Sequence, residues 1–388
     1  MFHAQPIRAA ISAVVVPAAV LAAAALSGGA AHAQPSQPAP TGSVTLYGNV
    51  EQYVNYMRSN SGSHFTSLED GAYLRSRFGF RGVEDLGGGY SAKFQLESGF
   101  SGDTGAMADS TRAFDRQSWV GIAGPAGELR LGRQNGPILT RGGYIDFNTR
   151  TLGSIVNTFG VPSRYDNDIA YLSPRIKGVA VEVHYALPEV NNSVSKQAVY
   201  QGAIDYIDET WRLGYIGLRG RPPANALYNR DVVYDNLFAN YVYSKGTIYL
   251  AFVRSNNVTS NANGNNAGSI LGNVGGVVAG TNPDVNNFYR IWQISADYKV
   301  TDALRVGALW GRIEDQSGNG RNANGGTVGA FYDMSRRTTL FAMVNTLRND
   351  ANAGFRPSGS AGLKTNFTGG DVNGRTINGA QVGVLHRF

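Results

Sequence analysis

The sequence predicts an all-β fold: a 16-stranded antiparallel transmembrane β-barrel whose third long loop folds inward. Three observations predict it. Apolar and polar residues alternate along segments of roughly ten residues, the length a tilted strand needs to cross a bilayer. The connections between these segments alternate between short turns and long loops, as in barrels of outer membranes. The period of two also runs to the last residue, with Ala380, Val382, Val384, His386 and Phe388 on one face and Gln381, Gly383, Leu385 and Arg387 on the other. Terminal residues are loose unless pairing ties them down, so a strand that uses Phe388 is read as one needed for closure.

The chain opens with a segment of export type. Arg8 supplies a positive start, Ala9 to Leu26 is an alanine-rich apolar run, and Ala31-His32-Ala33 fits a small-x-small cleavage site. The run reaches the length of about 18 residues at which an uncleaved anchor must be weighed. Pro17 within it and the cleavage pattern favour removal. Residues 1–33 are therefore expected to be a cleaved signal peptide and 34–388 a single barrel domain. No later stretch is a candidate hydrophobic helix.

Composition agrees with a barrel. Mean hydropathy is slightly negative, as in a soluble secreted protein, but only every second residue of a barrel strand meets lipid. Gly, at 50 of 388, is about twice its usual share. Tyr 20 and Phe 17 suit aromatic girdles at both membrane interfaces, and 16% charged residues is low for a water-exposed surface. Cysteine is absent, which excludes a disulfide framework, a thiolate metal site and a Cys nucleophile. The net charge of +6 is spread at strand spacing. That distribution fits a polar lumen better than a nucleic-acid face.

After a flexible lead-in from 34 to about 42, strands are expected near 43–58, 72–83, 89–101, 112–123, 127–134, 167–173, 178–187 and 198–208. The second half continues with 210–220, 232–243, 246–255, 287–299, 303–314, 325–333, 337–347 and 376–388. Long connections at 59–71, 102–111, 135–166, 188–197, 221–231, 256–286, 315–324 and 348–375 alternate without exception with short ones, such as Glu84 to Gly88 and Gly124 to Ala126. A soluble sandwich has no reason to keep that rhythm, and no repeated blade motif marks a propeller. The ninth, tenth and fifteenth strands alternate poorly.

Alternation assigns faces. In the second strand Leu74, Phe78 and Phe80 alternate with Arg75, Arg77, Gly79 and Arg81. A lipid-facing arginine near mid-bilayer costs about 2–4 kcal/mol, so the arginines must face the lumen. The third strand places Lys93, Gln95 and Glu97 inside, the seventh Glu182 and His184, and the twelfth Gln293, Asp297 and Lys299. Loop 135–166 carries Tyr144, Ile145, Phe147, Leu152, Ile155, Val156 and Phe159, too apolar for a solvated surface loop, and is expected to fold inward. Its one internal acid is Asp146. Set against Arg75, Arg77, Arg81 and Arg130, that loop would narrow the passage to an aperture with a positive wall and an acidic edge. Against this stands a blander arrangement, in which the arginines pair with Glu51, Glu97 and Glu128 and merely tile the wall.

Several stretches resemble the trimeric general-diffusion porins of Gram-negative outer membranes, particularly the neisserial and related betaproteobacterial type. They are Ser43-Val44-Thr45-Leu46-Tyr47-Gly48, Ser76-Arg77-Phe78-Gly79-Phe80-Arg81-Gly82 followed by Glu84-Asp85-Leu86-Gly87, Phe94-Gln95-Leu96-Glu97-Ser98-Gly99-Phe100, Leu131-Gly132-Arg133, Tyr171-Leu172-Ser173-Pro174 and Val382-Gly383-Val384-Leu385-His386-Arg387-Phe388. The resemblance implies a homotrimer in the outer-membrane lipid and lipopolysaccharide, with a water-filled pore for ions and small hydrophilic solutes. It adds Arg133 and Arg164 to Arg77 and Arg81 at positions lining the family's constriction. It also makes Phe388 part of the signal read by the barrel-assembly machinery. By strict alternation Arg133 shares parity with Leu129 and Leu131, so the strand is expected to end at Gly132 and release Arg133 inward. The third loop lacks the Pro-Glu-Phe-Gly motif of the enterobacterial branch.

Other functions fit less well. A barrel enzyme needs a His base near an acid or nucleophile. After the leader only His64, His184 and His386 remain, and no HExxH, Gly-x-Ser-x-Gly or Walker A pattern occurs. No cofactor, metal or nucleic acid is expected. A channel specific for an anionic solute is the nearer rival, and a non-conducting adhesin the third. Weak anion selectivity through the arginines is the expectation.

Overall fold

The computed structural model describes residues 42–150, 152–161, 163–188, 198–220, 231–256, 288–360 and 363–388. The expected signal peptide, 1–33, and nearly all of loop 256–286 lie outside the described residues. Among these residues run eighteen strand segments: β1 (Ser43–Ser59), β2 (His64–Glu69), β3 (Arg77–Gly87), β4 (Tyr90–Gly99), β5 (Gln117–Gly124), β6 (Gly127–Asn135), β7 (Arg164–Tyr165), β8 (Asp168–Leu172) and β9 (Val179–Ala186). The second half adds β10 (Val199–Ile207), β11 (Trp211–Gly220), β12 (Val232–Tyr243), β13 (Gly246–Ser255), β14 (Tyr289–Lys299), β15 (Leu304–Asp315), β16 (Ala323–Asp333), β17 (Thr338–Asn349) and β18 (Thr376–Arg387).

Eighteen segments make sixteen staves. β2 and β3 both pair with β1, through Tyr53–Arg58 and Ser43–Asn49, so they are two halves of one wall strand broken at 70–76. β7 and β8 both pair with β6 and are halves of another, parted where Asn167 takes φ 54°. All pairings are antiparallel, and β18 returns to β1 to close the barrel. The last rung uses the final residue: Phe388 N–H donates to the Gly48 carbonyl at 3.0 Å, and Gly48 N–H donates back at 3.1 Å. A side chain at position 48 would collide with the Phe388 ring, so Gly there lets the terminal ring lie flat on β1.

Two expectations need correction here. Residues 59–71 are not a long loop: a tight turn at 60–63 leads into β2, so the short–long rhythm has an exception. The reason is that β2 turns Phe65 inward onto Phe367, 4.9 Å between centroids, which removes the polar lumen face that alternation depends on. As a consequence Leu74 and Arg75 lie in the break between β2 and β3, not on a regular strand.

Elsewhere the alternation holds. Val120 and Ile122, Leu129 and Leu131, Val181 and Val183, Leu250, Ile294, Val328 and Val344 are exposed on the outer face, while their neighbours point inward. Exposed outer aromatics gather beside the short turns, among them Tyr171, Tyr206, Trp211, Tyr241, Tyr298 and Tyr332. That is the interfacial girdle expected of a membrane barrel. The strands that alternate poorly in sequence are regular in fact. β12 shows buried Val232, Tyr234 and Phe238 on its inner face, because something apolar covers them from inside.

Candidate functional site

The cover is the loop between β6 and β7. It contains α1 (Pro137–Thr140), a 3-10 turn (Gly142–Tyr144) and α2 (Ile155–Phe159), the last capped by the Ser154 hydroxyl accepting from Asn157 N–H at 3.4 Å. Ile138, Ile145, Ile155, Val156 and Phe159 are buried against inward residues of the facing strands, including Val232, Tyr234, Ile291 and Ile313. Burying each such side chain stabilises the docked loop by about 1.5–3 kcal/mol.

Polar anchors fix its course along the inner wall. Arg141 bridges the Glu182 and Asp205 carboxylates, with Nε to Asp205 at 2.8 Å. Tyr144 stacks on Phe238 at 5.5 Å. The Gln293 side-chain oxygen accepts from Ile155 N–H at 2.7 Å and Val156 N–H at 3.1 Å. Leu152 N–H donates to the Ala72 carbonyl at 2.9 Å. These contacts carry the loop from β9 round to the break between β2 and β3.

Asp146 is a correction. It does not edge the passage but is 1% exposed. Its carboxylate accepts from Asn148 N–H at 3.0 Å, Arg150 N–H at 2.8 Å, the Ser154 hydroxyl at 2.7 Å and the Gln293 amide at 3.1 Å. Burial pushes its carboxyl above the usual range, and those hydrogen bonds oppose the push. Its work is to shape the loop and tie it to β14.

Arginines converge on the wall from β3 to β7. Glu97 accepts from Arg116 Nε at 2.7 Å and from the Tyr47 hydroxyl at 3.0 Å, and Arg77 Nε stands 3.6 Å from it. Asp166 takes both terminal nitrogens of Arg112 at 2.9 Å and Arg133 at 2.6 Å. Gly99 leaves room for Arg75 and Arg116, whose side chains would lie 3.3 and 3.2 Å from a Cβ there. Arg164 is within electrostatic range of Arg116, Glu97, Arg133 and Asp115. The Nε atoms of Arg75 and Arg164 are buried without a hydrogen-bond partner among the described residues. Arg387, inward on β18, lies near enough to repel Arg77.

The strand does not end at Gly132. β6 continues to Asn135, and Gly132 instead takes φ 126°, a conformation L side chains rarely adopt. Arg133 then hangs its Nε on the Asp115 carbonyl at 2.6 Å and its terminal nitrogen on Asp166. Arg81 and Arg130 stand nearer the short turns. Arg81 lies over the Tyr47 ring at 5.3 Å, and Arg130 lies on Trp119 at 4.3 Å with Glu128 at 2.6 Å. Of the acids offered as neutralisers, Glu97 and Glu128 do pair with cations, but Glu51 accepts backbone N–H groups of Tyr73 and Leu74 instead. Sequence reasoning missed Arg112, Arg116 and Arg141. Arg112 and Arg116 fall within the strand expected at 112–123, but β5 begins only at Gln117, which leaves both in the preceding connection.

A closed barrel with an internal loop facing an arginine-rich wall is the architecture of a pore. A family model described as Gram-negative porin matches residues 18–352. The chain belongs to that family. The porin is 28% identical to an outer membrane porin protein of Bordetella pertussis, over 86% of this chain and 94% of that protein. It is 27% identical to outer membrane porin protein 32 of Delftia acidovorans, over 96% of this chain and 99% of that one. Among solved structures it is similar to an anion-selective porin from Comamonas acidovorans, with TM-score 0.71 and 23% identity, covering 89% of this chain and all of the other. The porin is thus an integral outer-membrane protein that forms a water-filled channel for passive diffusion.

Proposed function

We propose that this channel is a general-diffusion pore of modest anion selectivity, acting as a homotrimer after removal of residues 1–33, and that its selectivity is set at the arginine-rich wall. The observation that carries this reading is the local charge balance. Arg75, Arg77, Arg112, Arg116, Arg133, Arg164 and Arg387 stand near Asp70, Glu97, Asp109, Asp115 and Asp166. The cations outnumber the acids, but only slightly. A small positive excess beside a low-dielectric wall concentrates anions and depletes cations, and the preference is modest because most arginines share a carboxylate. Asp146, held inside the loop, does not offset the excess.

A channel specific for one anionic solute would need a continuous row of exposed groups to pass that solute along. Support for general diffusion is that, among the described residues, the inward aromatics Tyr234, Phe238, Phe331 and Phe341 are buried and do not form a slide facing the water. Liposome swelling with neutral sugars of rising size tests this. Rates are expected to fall smoothly with solute size, whereas saturation by a single solute would establish a specific channel.

A further inference from the structure

The inward loop carries a cation of its own, away from the arginine wall. Arg150 lies four residues after Asp146 and is 8% exposed. A buried guanidinium is costly unless an acid pairs with it. Arg150 nevertheless makes no ion pair among the described residues, and its Nε has no hydrogen-bond partner there. Asp146 is the acid within electrostatic range. Its two oxygens are taken by Asn148 N–H, the Arg150 backbone N–H, the Ser154 hydroxyl and the Gln293 amide. It answers the backbone of Arg150 and not its side chain.

The chain is strained where it places this side chain. Thr149 and Arg150 take φ 60° and 64°, the left-handed region that such residues rarely adopt. The guanidinium lies over Gly142, where a Cβ would stand 2.9 Å from a terminal nitrogen and 3.0 Å from Nε. Gly142 opens the 3-10 turn whose Tyr144 stacks on Phe238 of β12. Arg150 is also within electrostatic range of Tyr234 on the same face of β12. Asn236 stands between Tyr234 and Phe238 on that face. Tyr234, Asn236 and Asn148 are fully buried, and the Tyr234 hydroxyl and both amide nitrogens have no hydrogen-bond partner among the described residues. Arg212, over the Tyr144 ring at 5.7 Å, adds positive charge.

We propose that the space between the loop and β12 is a binding site for a small monovalent anion of halide size, held by the Arg150 guanidinium with the Tyr234 hydroxyl and the Asn236 amide. Each of these groups offers a donor, and hydrogen bonds between charged partners are the strong ones. One guanidinium calls for one negative charge, and fully buried walls favour a bare ion over an organic anion. The anion pairs Arg150 and ties the 146–150 turn to β12, as Gln293 ties α2 to β14. The site lies behind the loop, so its failure would leave the reading of the arginine wall intact.

The test is crystallography of the detergent-purified protein over a series of bromide concentrations, with data collected at the bromine absorption edge. An anomalous peak beside Arg150 Nε is expected in the parent. In Arg150→Gln the bromide needed for half occupancy should rise about tenfold to a hundredfold, the worth of one hydrogen bond to a charged group. Tyr234→Phe keeps the ring and should raise it less, which gives a second reading if Arg150→Gln fails to fold. Ordered water without an anomalous peak at that position in the parent would overturn the site. So would a bromide series unshifted in both variants.

Discussion

Replacing Phe388 with aspartate is expected to leave almost no protein at the cell surface. Phe388 supplies both hydrogen bonds of the rung that joins β18 to Gly48 on β1, and its ring, 43% exposed, lies on the lipid side. The backbone rung survives the substitution. A carboxylate near the interface adds only about 1 kcal/mol to the cost of the folded barrel. The folded state alone therefore predicts a small loss, and refolding into detergent should show one. A large loss in cells with a small loss on refolding places the effect on recognition of the terminal aromatic during assembly, the role implied by the resemblance of Val382 to Phe388 to the porin C-terminus. Unchanged surface yield would remove that role.

Truncating Arg141 to alanine should have the largest effect on the pore itself. Arg141 is 6% exposed and ties the inward loop to two strands through Glu182 and Asp205. Without it Asp205 keeps Arg175 and Glu182 keeps His184, while the loop retains the Thr140 hydroxyl on Glu182, at 3.2 Å, as its hydrogen bond to these two acids. Removing one partner of a buried ion pair typically costs about 3–5 kcal/mol. That is comparable to burying one or two of the loop's apolar side chains, so the segment from Pro137 to Tyr144 should come off the wall while α2, held by Gln293, stays. Single-channel records should show frequent current fluctuations absent from the parent, and Arg141→Lys should restore part of the quiet. Steady currents in Arg141→Ala would mean that the apolar contacts alone fix the loop.

The legible part of the fold was the part that meets two different solvents. In β3, Arg77, Phe78, Gly79, Phe80 and Arg81 face water and lipid in turn, and the period of two follows directly. Where the loop lies on the wall, the inner face is as apolar as the outer one. Tyr234 and Phe238 of β12 point at α2 and Tyr144, not at water, and that is why the tenth strand read poorly. The misassigned first connection has the same origin, with Phe65 turned in beneath Phe367. The inward course of the third loop was readable from its own apolar residues. The position of Asp146 was not, because burial and hydrogen bonding to Gln293 depend on a strand far away in sequence. Arg116 escaped for another reason: in the strand expected at 112–123 it shares the parity of Val120 and Ile122, which face lipid, whereas β5 begins only at Gln117.

The most direct test of the arginine-set selectivity is the zero-current potential of the purified protein in a planar bilayer under a salt gradient, compared with Arg77→Ser combined with Arg133→Ser. Arg77 leans on Glu97 and Arg133 on Asp166, so losing both leaves those carboxylates with one fewer cation each. The field is screened over about 10 Å at 0.1 M salt, so the contrast should be clearest in dilute solution. The unmodified channel is expected to give a potential of the sign set by anions, shrinking as salt rises, and the double variant to move toward cations. A cation-set potential from the unmodified channel in dilute salt would contradict the account of the arginine wall while leaving the barrel untouched.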